Sequence, residues 1–205
     1  MNAIPMTRIS MLASLRLVIV LASLLGLFYP FVVTTLSGTF FPHQATGSML
    51  YGPQGKVVGS TLVGQSFRGA EYFHGRPSAA EYAPNEVSGS NLAPSNPALR
   101  ARALEEVHQL HLRDGLKPGE IPIDLLAASG SGIDPHISPA AAMAQVPRIS
   151  RERGLQASSI KQAIQAATQY EGFLGRPSVN VLTLNLALDT GALEGTSDEL
   201  QEYDE

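Results

Sequence analysis

The sequence has no cysteine and no tryptophan, and aromatic residues make up only 6% of its 205 positions. Without cysteine there is neither a disulfide nor a thiolate metal site, so any folded domain relies on its core. Without tryptophan, and with so few rings, the chain lacks the material for an aromatic-rich carbohydrate platform. Acids are missing from the N-terminal third, where none occurs before Glu71. Cations are missing from the opposite end, where residues 189–205 hold seven acids and no base.

What is present first is residues 17–41, LVIVLASLLGLFYPFVVTTLSGTFF, a run without one charge. A bilayer core needs about 20 apolar residues as helix, so this run spans with some to spare. Pro30 removes one backbone donor and predicts a kink, which membrane helices tolerate when neighbours re-satisfy the freed carbonyl. A cleaved secretory signal would have an apolar stretch of about 7–15 residues ending near a small-residue site. This run is longer and ends in Ser37-Gly38-Thr39-Phe40-Phe41, so it reads as an uncleaved anchor. Arg8 and Arg16 precede it, and within about 20 residues after it only Lys56 is basic. The positive-inside rule therefore expects a cytoplasmic N-terminus over residues 1–16 and a periplasmic domain beyond the span.

Twelve of the 14 cations follow the span, against all 18 acids. Such an acidic surface argues against nucleic acid, which selects a basic patch. The expected architecture is a mixed α/β soluble domain on a single N-terminal transmembrane helix. Residues 42–56 read as a Pro/Gly/Ser-rich linker, 57–190 as the domain and 191–205 as an acidic flexible tail. Val57-Val58 and Leu62-Val63 read as short extended segments. Residues 80–97 have loop composition, and a loop this long tends to be functional or to drape over a partner.

Asn96 followed by Pro97 is a helix-start signature, and Gly115 a helix stop. Between them Leu99, Ala103, Val107 and Leu110 share one face. His108 and His111 lie elsewhere, and without a third placed ligand they read as solvated rather than as a metal pair. Residues 121–128 read as a strand running into the Gly-rich loop 129–139, with Ser138 as N-cap and Pro139 in the first turn of a helix. That helix is expected to stop at Pro147, a second to cover 148–153 and end at Gly154, and a third to cover 158–168 with Ile160, Ala163, Ile164 and Ala167 inward. In 180–188 the leucines alternate as in a strand, but Asn180 as N-cap and Gly191 as C-cap favour a helix. The string Glu71-x-Phe73-x-Gly75-Arg76-Pro77-Ser78 recurs one hundred residues on from Glu171. Two similar turns explain it most simply; the sharper reading gives Arg76 and Arg176 anions or partner carboxylates to grip.

The 129–139 loop is the sharpest chemical feature. Its backbone donors, leading into a helix N-terminus, suit an anion or phosphate. It is not a Walker A loop, having no lysine, and its glycines equally allow a shaped turn. Asp134, His136 and Ser138 suggest an acid/base group or cation site, but no G-x-S-x-G elbow or third partner accompanies them. On physics alone this is a membrane-anchored, acidic, exported domain. A tethered hydrolase or binding domain using the loop is the alternative reading.

Six ordered blocks then match something specific. They are Val63-Gly64-Gln65-x-Phe67, Tyr72-Phe73-x-Gly75-Arg76-Pro77-Ser78-Ala79, Ser88-Gly89-Ser90-Asn91-Leu92, the run Ala128-Ser129-Gly130-Ser131-Gly132-Ile133-Asp134-Pro135-His136-Ile137-Ser138-Pro139, Gln145-Val146-Pro147-Arg148-Ile149, and the closing Val179-Asn180-Val181-Leu182-x-Leu184-Asn185-x-Ala187-Leu188-Asp189. Together they resemble the C subunit of the Kdp potassium-transporting P-type ATPase. The resemblance implies a non-catalytic accessory subunit of an inner-membrane complex, partnered by a channel-like K⁺-selecting subunit and an ATP-hydrolysing P-type subunit. It also implies a catalytic-chaperone role, raising the ATP affinity of the hydrolysing subunit, with Gln145 at the position proposed to meet nucleotide. Contact candidates toward partner or nucleotide are then Gly130, Ser131, Gly132, Asp134, His136, Ser138, Gln145 and Arg148. No catalytic or metal-binding residue and no tightly bound cofactor is implied; ATP enters only through a complex with the hydrolysing subunit. A periplasmic domain would not meet ATP directly, yet it can act on ATP turnover by contacting two pump states differently.

Overall fold

A computed structural model describes residues 6–191 apart from 171 and 173–174. The acidic tail read from the sequence, and part of the second copy of the repeated string, lie outside the described residues. The chain divides into two units, Met1–Ser48 and Met49–Glu205.

The first unit is helical. Helix α1 (Met6–Ser23) passes through a π-helical turn, Leu24–Phe28, into α2 (Tyr29–Phe40), and a short α3 (Pro42–Ala45) follows. Residues Met11–Phe40 are long and apolar enough to cross a membrane, with mean hydropathy 2.4 and none of that stretch buried. The π turn immediately precedes Pro30, where the ordinary i→i−4 ladder cannot be completed. Widening the ladder there accommodates the missing donor without ending the helix. Thr35 and Thr39 turn their hydroxyls back onto the carbonyls of Phe31 and Thr35, so neither presents an unpaired donor.

The second unit opens on an antiparallel ribbon, β1 (Met49–Tyr51) with β2 (Val57–Ser60), pairing Met49 with Ser60 and Tyr51 with Val57. Part of the expected linker is thus a strand, and of the two expected extended segments only the first is one. Residues 61–96 then run without a regular element before α4 (Pro97–Asp114). Helix α4 begins and ends as its punctuation predicts: the Asn96 side chain accepts from the Ala98 N–H, and Gly115 takes a left-handed φ of 72°.

The strand expected at 121–128 is instead an irregular run around one 3₁₀ turn, Ile123–Leu125, which follows another at Pro118–Glu120. Pro122 holds φ near −60° between them, and only Leu125 is fully buried, so there is no sheet face for the run to cover. The strand lies further on, as β3 (His136–Ile137). It joins β4 (Thr168–Tyr170) and β5 (Pro177–Asn180) in an antiparallel sheet of order β3-β5-β4.

Helix α5 (Pro139–Arg153) is the centre of the core and corrects a second expectation, because it runs unbroken through Pro147. Ala141, Ala142, Gln145 and Val146 before the proline and Arg148 and Ile149 after it are all buried. Burial of both halves on the same partners outweighs one lost backbone bond, which alone costs about 3 kcal/mol in an isolated helix. Helix α6 (Ala157–Ala166) adds Ile160 and Ile164, each contributing roughly 1.5–3 kcal/mol by leaving water. Helix α7 (Val181–Thr190), capped by Asn180 on the Thr183 N–H and ended by Gly191, closes the core with Leu184 and Leu188. The helical reading of 180–188 is therefore the one observed.

Candidate functional site

The polar residues that single themselves out converge on an irregular segment, residues 69–78, and His74, Arg76, Tyr82 and Arg113 among them line a cavity of about 180 Å³. This segment pairs with no strand among the described residues, yet side chains occupy its backbone groups in turn. Arg148 donates to the carbonyls of Ala70 and Tyr72, and Arg153 Nε donates to Glu71 O at 2.7 Å. Asn185 pairs both ways with Phe73, accepting from its N–H at 2.8 Å and donating to its carbonyl at 2.9 Å. Gln145 treats His74 the same way, at 2.8 and 3.0 Å. Tyr82 Oη donates to Arg76 O, and the Ser129 N–H donates to Pro77 O at 2.9 Å. Two side-chain amides on two helices thus imitate a neighbouring strand. Phe73, carried between them, is fully buried.

At the centre of this clamp Arg148 is 2% exposed and Gln145 0%. Arg148 Nε donates to Asp114 Oδ1 at 2.6 Å, and Nη2 donates to Gln145 Oε1 at 2.8 Å. Burial lowers the Arg148 pKa from its ordinary value, and the Asp114 carboxylate opposes that shift. Asp114 is itself fully enclosed and takes a second hydrogen bond from Arg113 Nε at 2.8 Å. The sequence names Gln145 and Arg148 as contacts to partner or nucleotide; the structure turns both inward and occupies them with the fold. Asp114, Asn185 and His74 are the residues that reading missed. Asp114 did carry a signal, since an acid in the last turn of a helix opposes the helix dipole and needs a compensating cation. Asn185 carried another, as a lone amide among the leucines of α7.

His74 joins the clamp through its ring. Arg113 has only donors to offer, so its Nη1 at 2.7 Å makes Nδ1 the acceptor, leaving Nε2–H to donate to Gly69 O at 2.9 Å. The ring is therefore neutral. Burial, reinforced by Arg113, lowers its pKa from 6.5 to about 4. The unfolded chain takes a proton near pH 6.5 that the folded chain refuses down to about pH 4, so stability is full above that window and declines through it as pH falls. Thermal unfolding of the full chain in detergent should show Tm falling between those pH values. His74→Gln should flatten that limb; an unchanged slope would remove His74 as its source.

The 129–139 loop bonds in part to itself. The buried Ser129 hydroxyl accepts from the N–H groups of Gly132 (3.0 Å) and Asp134 (3.3 Å), and Ser131 Oγ accepts from Ile133 N–H at 3.2 Å. Three of the loop's donors, the N–H groups of Gly132, Ile133 and Asp134, are thus engaged by its own serines. Gly132 sits at φ +77°, and a Cβ there would lie 2.6 Å from Ser88 O, so the segment crossing the loop requires glycine. Gly130 alone of the loop glycines is exposed.

Asp134 accepts from His136 N–H at 3.0 Å and from Arg76 at 3.0 Å. Burial pushes its carboxyl up, but the bonds from His136 and Arg76 outweigh burial and hold it below the ordinary range. Arg76 therefore grips an internal carboxylate rather than one of a partner. Ser138 belongs to a different group: its hydroxyl donates to Asp124 Oδ1 at 3.1 Å and caps α5 by accepting from Ala141 N–H. Asp134 and His136 do stand together, with the ring Nδ1 3.7 Å from Asp134 Oδ1, but Ser138 turns to Asp124 and does not join them as one acid/base unit. His108 and His111 are exposed, and no cluster of metal-ligating residues occurs among the described residues.

One apolar helix long enough to cross a membrane, followed by a mixed helix/strand domain whose polar side chains bond its own irregular segments, defines a single-span protein of mixed α/β class. Within that class the chain belongs to the KdpC family, described as the c chain of K⁺-transporting ATPase, which matches residues 11–190. It is 47% identical over 182 residues to the potassium-transporting ATPase KdpC subunit of Geobacter sulfurreducens, covering 86% of this chain and 95% of that one. The same-named subunit of Sorangium cellulosum is 47% identical over 188 residues, covering 87% and 98%. That of Xanthomonas oryzae pv. oryzae is 50% identical over 167 residues, covering 80% and 79%. The resemblance read from the six blocks is borne out.

Proposed function

We propose that this chain is the non-catalytic accessory subunit of an ATP-driven potassium uptake pump, anchored in the inner membrane by residues 17–41. It assembles with a channel-like K⁺-selecting subunit and an ATP-hydrolysing P-type subunit. Family membership across residues 11–190 carries this reading. The clamp on residues 69–78 supports it, since a rigid surface suits a part that holds others in register. The domain faces the periplasm, on the two cations before the span against one after it. Its effect on ATP affinity then runs through contacts that differ between pump states, not through nucleotide contact. The buried position of Gln145 supports that route.

Sidedness tests the proposal, and the absence of native cysteine makes it direct. Cysteine at Val87, which is exposed, should react with an impermeant maleimide in intact cells. Labelling only after the membrane is opened, with a denatured control reacting fully, would reverse the topology. The same preparation should yield the two large subunits on affinity purification of this one.

A further inference from the structure

Helix α4 sets Glu106, Leu110 and Arg113 on one face, at i, i+4 and i+7. All three line the cavity of about 180 Å³, opposite Arg76 and Tyr82, with Leu125 extending its apolar wall. The fold uses the polar groups here only in part. Arg76 Nη1 holds Asp134, but Nη2 reaches two carbonyls no closer than 3.5 Å and Nε has no hydrogen-bond partner. Arg113 donates from Nε to Asp114 and from Nη1 to His74, which leaves Nη2 without a bond among the described residues. Glu106 is half-buried and has neither a hydrogen bond nor an ion pair among the described residues. Burial holds its carboxyl above the ordinary range, against the pull of Arg113 and Arg102.

Charged groups drawn partly out of water without partners cost stability, and a complementary ligand offsets that cost. The wall is also shaped under strain. Tyr82 holds φ of 60° without being glycine, and a Cβ on Gly75 would lie 2.7 Å from its hydroxyl. That hydroxyl donates to Arg76 O and still has a lone pair with which to accept.

Charge and size narrow the ligand. Asp114 is one carboxylate shared by two guanidiniums, Arg113 and Arg148, so that group has one positive charge in surplus. Arg76 and Asp134 cancel, His74 is neutral, and Glu106 brings the cavity and its partners to zero. A ligand of a single sign would unbalance this arrangement, whereas one carrying both signs leaves it neutral. Guanidinium donors select a carboxylate, and an unpaired carboxylate selects an ammonium. The volume equals that of about six waters at roughly 30 Å³ each, which suits a molecule of a few heavy atoms and not a nucleotide.

We infer that this cavity binds a small zwitterion of the amino-acid class, its carboxylate on the under-bonded guanidiniums of Arg76 and Arg113 and its ammonium on Glu106 and Tyr82 Oη. The inference rests on the cavity alone and is independent of the accessory-subunit reading.

Titration of the full chain in detergent with glycine, γ-aminobutyrate and acetate tests it, read by calorimetry and by Tm. Saturable binding of at least one of the two amino acids is expected, with acetate at least tenfold weaker. At about a hundredfold excess over Kd the bound chain should melt several degrees higher. Glu106→Gln should weaken the amino acid at least tenfold and leave acetate unchanged. Because Glu106 has no partner among the described residues, this variant should not lower the Tm of the chain without ligand. No saturable heat from either amino acid, the result if the cavity holds water alone, would overturn the inference. So would acetate binding as tightly as the amino acids, undiminished affinity in Glu106→Gln, or a fall in the Tm of that variant without ligand.

Discussion

Arg148→Met is expected to destabilise the domain by about 3–5 kcal/mol, the cost of leaving one member of a buried ion pair behind. Methionine approximates the length of the arginine stem, so the loss is electrostatic and hydrogen-bonded rather than a cavity. Asp114 Oδ1 loses its 2.6 Å partner inside a site with no solvent exposure, and the carbonyls of Ala70 and Tyr72 lose theirs. Domains of this size have total stabilities on the order of 5–15 kcal/mol, so the change removes a large share. Urea unfolding of the full chain in detergent should show the midpoint falling with little change in slope. Arg148→Lys keeps the charge but not the planar fork, and should fall between the two. A loss under about 1 kcal/mol for Arg148→Met would sink the claim that this pair anchors the 69–78 segment, since that is the range of surface pairs.

The second large effect is expected at Gln145. Gln145→Leu matches the volume approximately but leaves the N–H and C=O of His74 without partners and deprives Arg148 Nη2 of its acceptor. At about 1–3 kcal/mol for each buried group left unpaired, a loss on the order of 4 kcal/mol follows. The same variant separates a structural glutamine from a nucleotide-binding one. As a clamp residue, its loss lowers Tm and the amount of assembled pump. As a nucleotide contact, it would leave Tm unchanged and raise only the ATP requirement of the hydrolysing subunit. The first pattern is expected, and the second would return Gln145 to the nucleotide contact the resemblance implied.

The errors of the sequence reading have one physical source. Asn96, Gly115, Ser138, Asn180 and Gly191 mark helix ends through bonds to backbone within a few residues, and each marks the observed end. Pro147 is an equally strong local signal, and following it gave two helices where one exists. The outcome there depends on burial along both halves of α5, which no local window contains. Residues 121–128 misled in the same way, since an apolar run does not say whether a sheet lies nearby to receive it.

For the site the contrast is sharper. Asp134 and Ser138 are near neighbours in the chain but serve different partners in space, Arg76 and His136 for the first and Asp124 for the second. Conversely, Arg148 reaches Asp114, 34 residues away, and Asn185 reaches Phe73, 112 residues away.

By itself the sequence determined the apolar span, the absence of covalent cross-links, the helix ends and, through six ordered blocks, the family. Each of these depends on composition or on residues close together in the chain. Only the tertiary structure decided that the same blocks serve chiefly to clamp an irregular segment, and that Gln145 and Arg148 face inward. A polar side chain buried without partners costs more than one left in water, so its role is set by what the fold places against it.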